Sequence, residues 1–285
     1  MSLRINHNVL SLRAHRNVYN TSKAMDQAVT RLSSGLRINS ADDDPAGIAI
    51  SERFRSHIAS MEMAERNASY AINMFATAEG ALGSIDDKLI RMRALAIEAS
   101  NGTMSSADRS FLNVEFMQLK SEIDRIANVT NYNGIYMLDG TYSAGAPGGA
   151  GQGIKLHIGI NNNSLEDFYF VNFADMRASA LGLDSTVDLT NTAQSQSAIG
   201  ILDNAIITKD TERTRVGSYV SRLNYTVSNL QVSRENAVAS ESTIRDADMA
   251  TEMSAYTRAQ VMMQSGIAML AQANNMPNMV AGLLQ

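Results

Sequence analysis

Apolar side chains between Ile50 and Ala99 recur in two interleaved series, each with a seven-residue step. One runs Phe54, Met61, Ala68, Phe75, Leu82, Leu89 and Ala96. The other runs Ile50, His57, Ala64, Ala71, Ala78, Ile85, Met92 and Ala99, with His57 its one polar member. Alternating steps of four and three predict a helix packed in a left-handed coiled coil. At the rise of an α-helix it is roughly 75 Å long. Asp44 is placed to cap this helix with Pro45 at its first position, and Asn101-Gly102 ends it.

A second helix is predicted from Ser105 or Ser106, with Asp108 in its first turn and Leu112, Phe116, Leu119, Ile123 and Ile126 on one face. The short Asn-Gly connection makes the two an antiparallel hairpin. Turn and strand chemistry follows at Asn131 to Gly134 and on to Asp139-Gly140. Residues 143–153 are rich in Gly and Ala and read as a loop. Ile154 to Ile160 and Phe168 to Phe173 are predicted as two short strands around Asn161 to Asn163.

Helical periodicity returns near Ser195 and is clearest at Val216, Tyr219, Val220, Leu223, Val227 and Leu230. Both chain ends carry stripes as well. At the N-terminal end these are Ile5, Val9, Leu12, Met25, Val29, Leu32 and Leu36; at the C-terminal end Met249, Met253, Tyr256, Met263, Ile267 and Leu270. The expected fold is therefore mainly α, a long antiparallel helical coiled-coil bundle drawn from both chain ends, with a small β-hairpin region in the middle. Five segments follow: a terminal helix over 1–42, a long helical hairpin over 43–140, a short loop and β insert over 141–194, a returning helix over 195–240 and a second terminal helix over 241–285. The terminal stripes are candidate self-assembly seams, because one subunit alone cannot bury them fully.

Composition agrees with long helices. The chain has 285 residues, 45% of them hydrophobic, with 3 prolines, no tryptophan and no cysteine. Ala and Met favour helix, and the shortage of proline leaves it unbroken. A net charge of −5 argues against nucleic acid as a partner. The N-terminal stretch lacks the apolar run and small-residue cleavage site of a secretory signal. From Ala259 to Gln285 no residue is charged. Asn and Gln interrupt the stretch before it reaches the ~20 apolar residues of a membrane span, so a helix surrounded by protein is expected. Residues 1–40 hold Arg4, Arg13, Arg16, Lys23, Arg31 and Arg37 against Asp26, whereas 241–285 are net acidic. Opposite signs mildly favour pairing of the two ends.

Leu32 to Asn39 (LSSGLRIN) with Ala41 to Ile50 (ADDDPAGIAI) resembles the N-terminal signature of bacterial flagellins. Ser242 to Asp248 (STIRDAD) and Ala271 to Asn274 with Pro277 resemble its C-terminal counterpart, and Glu122 to Ile126 with Asn131 to Gly134 is similar too. The resemblance implies a subunit that polymerises with itself, with paired terminal helices lining an inner tube and the long helices forming an outer one. It further implies export through the flagellar secretion apparatus with a chaperone on the C-terminal region, and junction and cap proteins of the hook-associated kind as neighbours. The filament would lie outside the cell, or in the periplasm if the source is a spirochaete. The short stretch over 141–194 leaves no room for separate outer domains. Arg91, Leu95 and Glu115 match flagellin positions that engage Toll-like receptor 5. Arg91 and Leu95 fall just off the seam at 89, 92 and 96, where a receptor could reach them.

Other readings are weaker. Asp42 to Asp44 before Pro45 suits a helix cap better than a metal cluster. The four histidines, at 7, 15, 57 and 157, match no zinc spacing, and the Gly-rich stretch lacks the Lys-Ser/Thr of a phosphate loop. No cofactor is expected, and no nucleophile motif marks an enzyme. A hook–filament junction protein and a coiled-coil adaptor are the alternatives. The first lacks the full N-terminal signature, and the second has no use for stripes at both extreme ends.

Overall fold

The computed structural model describes residues 8–143, 153–164, 166–184 and 186–283, with side chains as far as Met276. Ile5 and most of the Gly-rich loop lie outside the described residues, as does the side chain of Pro277. Among the described residues, five helices and two small hairpins follow in chain order: α1 Val9–Ser34, α2 Pro45–Ala99, α3 Ser106–Val129, β1 Asn131–Tyr132, β2 Ile135–Tyr136, β3 Ile154–His157, β4 Phe168–Val171, α4 Thr192–Arg245 and α5 Met249–Leu283. Two compact units result, one from residues 1–58 with 235–285 and one from 59–234.

Local chemistry sets the boundaries. Asp44 accepts the Gly47 N–H at 2.9 Å, and Pro45 opens α2. Ser105 and Asp108 form a reciprocal capping box at the start of α3. Arg109 reaches back to close α2, donating from Nε to the Ala99 carbonyl at 2.8 Å and from Nη2 to that of Asn101 at 3.0 Å. Orphan carbonyls at a helix end need such donors. Gly35 ends α1 with φ 72°, a conformation that glycine adopts without steric cost. Leu36 therefore lies beyond the helix, not on the helical stripe expected for it, and bridges to Asp246.

In the 59–234 unit, α2 and α4 run antiparallel, as the pairs Arg93–Asp203, Asp86–Lys209 and Glu79–Arg213 show. The heptad series from Ala64 to Ala99 is buried throughout, against Phe116 and Ile123 of α3 and Leu202, Val216 and Leu223 of α4. Phe75 stacks on Tyr219 with ring centroids 5.6 Å apart and packs on Phe173 at 5.7 Å. The β1–β2 turn has Asn133 and Gly134 at φ 52° and 81°, the primed turn that suits a two-residue hairpin. In the second hairpin Ile154 pairs with Val171 and His157 with Phe168.

The stretch after β4 adds to this core. Phe173, Met176, Leu183 and Leu189 are all buried. Its backbone donors are tied to the helices: Asp124 accepts Ala178 N–H at 2.8 Å, Asn113 accepts Leu189 N–H at 3.0 Å and Glu212 accepts Ala174 N–H at 3.1 Å. Lys120 donates to the Asp184 carbonyl at 2.6 Å. Irregular backbone becomes buriable once its polar groups are paired in this way.

The seam shifts at the start of α2. Ile50 is exposed and Ser51 is buried in its place, donating from Oγ to Glu241 Oε1 at 3.0 Å. One heptad on, Ile58 is half-buried beside His57, so the covered line here lies one residue beyond the predicted series.

Candidate self-assembly surface

The unit formed by the chain ends pairs α1 with α5. They are antiparallel: Asn8 Nδ2 donates to the Ala273 carbonyl at 2.8 Å, Ser11 Oγ to Asn274 at 2.6 Å, and Arg31 Nη1 to Glu252 Oε1 at 3.0 Å. The joints beside them are also tied, with Arg37 N–H on the Arg245 carbonyl at 2.7 Å and Ala247 N–H on that of Gly35 at 2.9 Å. Asp248 caps α5 by accepting the Ala250 N–H at 2.9 Å.

The faces that meet are built of small residues. On α1 the covered positions are Ser11, Ala14, Val18, Thr21, Met25, Ala28 and Leu32, at alternating steps of three and four. On α5 they include Tyr256, Ala259, Met263, Gly266, Leu270 and Ala273, again at alternating steps of three and four, with Ala255 beside them. At Gly266 the helices come closest, where an added Cβ would stand 2.8 Å from Val18 Cγ2. Small residues let two helix backbones approach and interlock at this distance.

The predicted seam residues divide between two faces. Met25 and Leu32 are half-buried toward α5, and Tyr256, Met263 and Leu270 half-buried on the face that carries Gly266. Val9, Leu12, Val29, Met249, Met253 and Ile267 are exposed. Tyr19 on α1 and Val261, Met262, Met269 and Met276 on α5 join them. Periodicity holds a sign of these last residues, since Met262, Met269 and Met276 lie seven apart, one step before Met263 and Leu270. Along α5 beyond Arg258 no charge interrupts this apolar surface. Exposed large apolar side chains in this number make the helix pair a candidate interaction surface.

The residues matched to receptor binding separate differently. Arg91 and Glu115 form an exposed bidentate pair between α2 and α3, Nε to Oε1 at 2.7 Å and Nη2 to Oε2 at 3.1 Å. The guanidinium hydrogen bonds hold the Glu115 carboxyl below its usual range and raise Arg91 in turn. Leu95, expected to be within reach, is fully buried. The α2 stripe is wider here than two heptad series predict, because α2 packs against both α3 and α4.

A helical subunit whose two ends pair through small residues and turn their large apolar ones outward belongs to the class of self-assembling structural proteins. The bacterial flagellin N-terminal helical region matches residues 5–143 and its C-terminal helical region residues 199–284. The chain is 40% identical over 281 residues to a flagellin of Halalkalibacterium halodurans, and 39% identical over 287 residues to the flagellar filament 33 kDa core protein of Treponema phagedenis, with 99% of each chain covered in both cases. This chain belongs to the bacterial flagellin family. A solved structure described as a flagellar hook-associated protein, from Vibrio parahaemolyticus, superposes with a TM-score of 0.56 over 72% of this chain and all of that one. At 16% identity it shares the fold alone.

Proposed function

We propose that copies of this chain polymerise into the flagellar filament by packing the outward faces of α1 and α5 against those of neighbouring subunits. The observation that carries this is the exposed line Met262, Met269 and Met276, seven residues apart, with Ile267 exposed on the other flank of a helix without a charged residue after Arg258. A helix facing water on that side would gain from charge there, whereas one enclosed by other copies would be penalised for it. An external filament is the default location, and a periplasmic one follows if the source is a spirochaete. Before assembly the same face needs cover, which suits an export chaperone on the C-terminal region during passage through the secretion apparatus. Junction and cap proteins would meet it at the filament ends.

Electron microscopy of purified protein, salted out or seeded with fragments, tests the reading. Helical filaments are expected. Soluble subunits at every concentration, with both termini resistant to protease, would remove it. A Toll-like receptor 5 contact on this subunit would use the Arg91–Glu115 pair, with Leu95 supporting it from beneath. Purified monomer carrying Arg91→Ala should then lose a receptor reporter signal that the unaltered protein gives, and equal signals would end that assignment.

A further inference from the structure

The assembly surface is also where the chain concentrates its sulfur. There are 17 methionines and no cysteine, so thioethers are its most readily oxidised groups. Seven of them fall within α5, a helix of 35 residues. Met249, Met253, Met262, Met269 and Met276 are 41–62% exposed on the subunit. By contrast Met74, Met92, Met137 and Met176 are buried in the 59–234 unit. Oxidant therefore reaches these five, together with Met63 of the other unit, before the four buried ones.

We propose that these five α5 thioethers make assembly sensitive to oxidation, a peroxide converting them to sulfoxides on the free subunit and so blocking its incorporation into the filament. This rests on α5 being the assembly face. In each event the thioether sulfur attacks one oxygen of hydrogen peroxide and the O–O bond breaks. An S–O bond forms and the second oxygen leaves as water. Sulfur is oxidised by two electrons and the peroxide reduced by two. The sulfoxide is a polar hydrogen-bond acceptor, and α5 beyond Arg258, which carries Met262, Met269 and Met276, has no charged donor to satisfy it in an apolar contact. Leucine at these positions would bury similar area and lack the response. A methionine sulfoxide reductase, drawing on a thiol, returns the sulfoxide to the thioether with release of water and restores the surface.

Monomer is treated with graded hydrogen peroxide, sulfoxides are mapped by peptide mass spectrometry, and seeded polymerisation is measured by sedimentation. The five α5 methionines should oxidise about tenfold or more faster than the four buried ones, whose access requires local opening. Polymer yield should fall about tenfold at full α5 oxidation and return after reductase treatment. The variant with all five replaced by Leu should polymerise untreated and keep its yield in peroxide. Oxidised wild-type protein that polymerises normally overturns the proposal. So does a Leu variant that peroxide inhibits as strongly as wild type, since exposed Met63 of the other unit or a further site would then be responsible. Untreated wild-type protein that never polymerises removes the assembly reading itself, and the oxidation response with it.

Discussion

Gly266 and Ile267 are adjacent on α5 and about 100° apart around it, one covered by α1 and the other exposed, so changes at the two positions separate folding from assembly. Gly266 sits against Val18, where a Cβ would be 2.8 Å from Cγ2. Ile267 is 54% exposed. Burying an isoleucine side chain completely is worth about 1.5–3 kcal/mol, so covering the exposed half in the filament contributes about 1 kcal/mol per copy. Ile267→Ala should accordingly raise the critical concentration for polymerisation about fivefold. Ile267→Lys brings an ammonium into the same place at a cost of several kcal/mol, raising it by about a hundredfold or more. Neither change should shift monomer stability by more than about 0.5 kcal/mol, because the side chain is on the surface. Gly266→Val should do the reverse, forcing α1 and α5 apart and exposing the N-terminal helix to protease at subunit concentrations where Ile267→Lys stays resistant. Sedimentation over a concentration series gives the critical concentration, and urea unfolding followed by circular dichroism gives monomer stability. If Ile267→Lys polymerises at the wild-type concentration, the outward face is not an interface. If it unfolds the monomer, that face is already occupied within the subunit. Either result refutes the assignment.

Phe75→Ala should lower monomer stability by about 3–5 kcal/mol, since the ring is fully buried between Tyr219 and Phe173; an unchanged urea midpoint would mean that this core is not the stabilising one. Ser105→Ala removes the capping box at the start of α3 and should cost about 1 kcal/mol, read from the same urea curves, with Ser105→Asp recovering most of it. Acid should destabilise the monomer. Glu115, Glu122 and Asp108 titrate below their ordinary values of 4.5, 4.5 and 3.8, each chiefly because a side-chain hydrogen bond favours the charged form. Folded values below unfolded ones give stabilisation that is complete above the unfolded values and lost as pH falls through the folded ones. Thermal midpoints should therefore be flat near neutrality and decline once pH drops below about 4.5. A midpoint that holds or rises there contradicts the pairing.

The buried line from Ala64 to Ala99 was legible because its periodicity is unbroken and two partner helices cover it. The cap at Asp44, the helix start at Ser105 or Ser106 and the turn at Asn131 to Gly134 were legible because their chemistry is local. Less visible were features that depend on distant partners. The hairpin of α2 and α3 was foreseen, but not that packing against both α3 and α4 would bury Leu95, and nothing near Phe173, Met176 or Leu183 announces that Asp124 and Glu212 anchor the backbone beside them. At the chain ends periodicity found the stripes but mixed two faces, placing exposed Val9, Leu12 and Ile267 with covered Met25, Met263 and Leu270.

Residue size resolves the mixture. The covered line on each terminal helix is rich in Ser, Ala and Gly, which two closely apposed backbones require, while the large Met, Ile, Leu and Tyr side chains are mostly turned away from it. Large side chains at the intrachain line would hold α1 and α5 apart; on the outside they provide area for neighbours. Charge supports the same division. A helix with one partner has one apolar stripe and one face solvated by charged residues. From Ala259 onward α5 has no charged residue on any face, so it calls for more neighbours than α1 alone supplies. Under the proposed assembly, those neighbours are further copies of the chain.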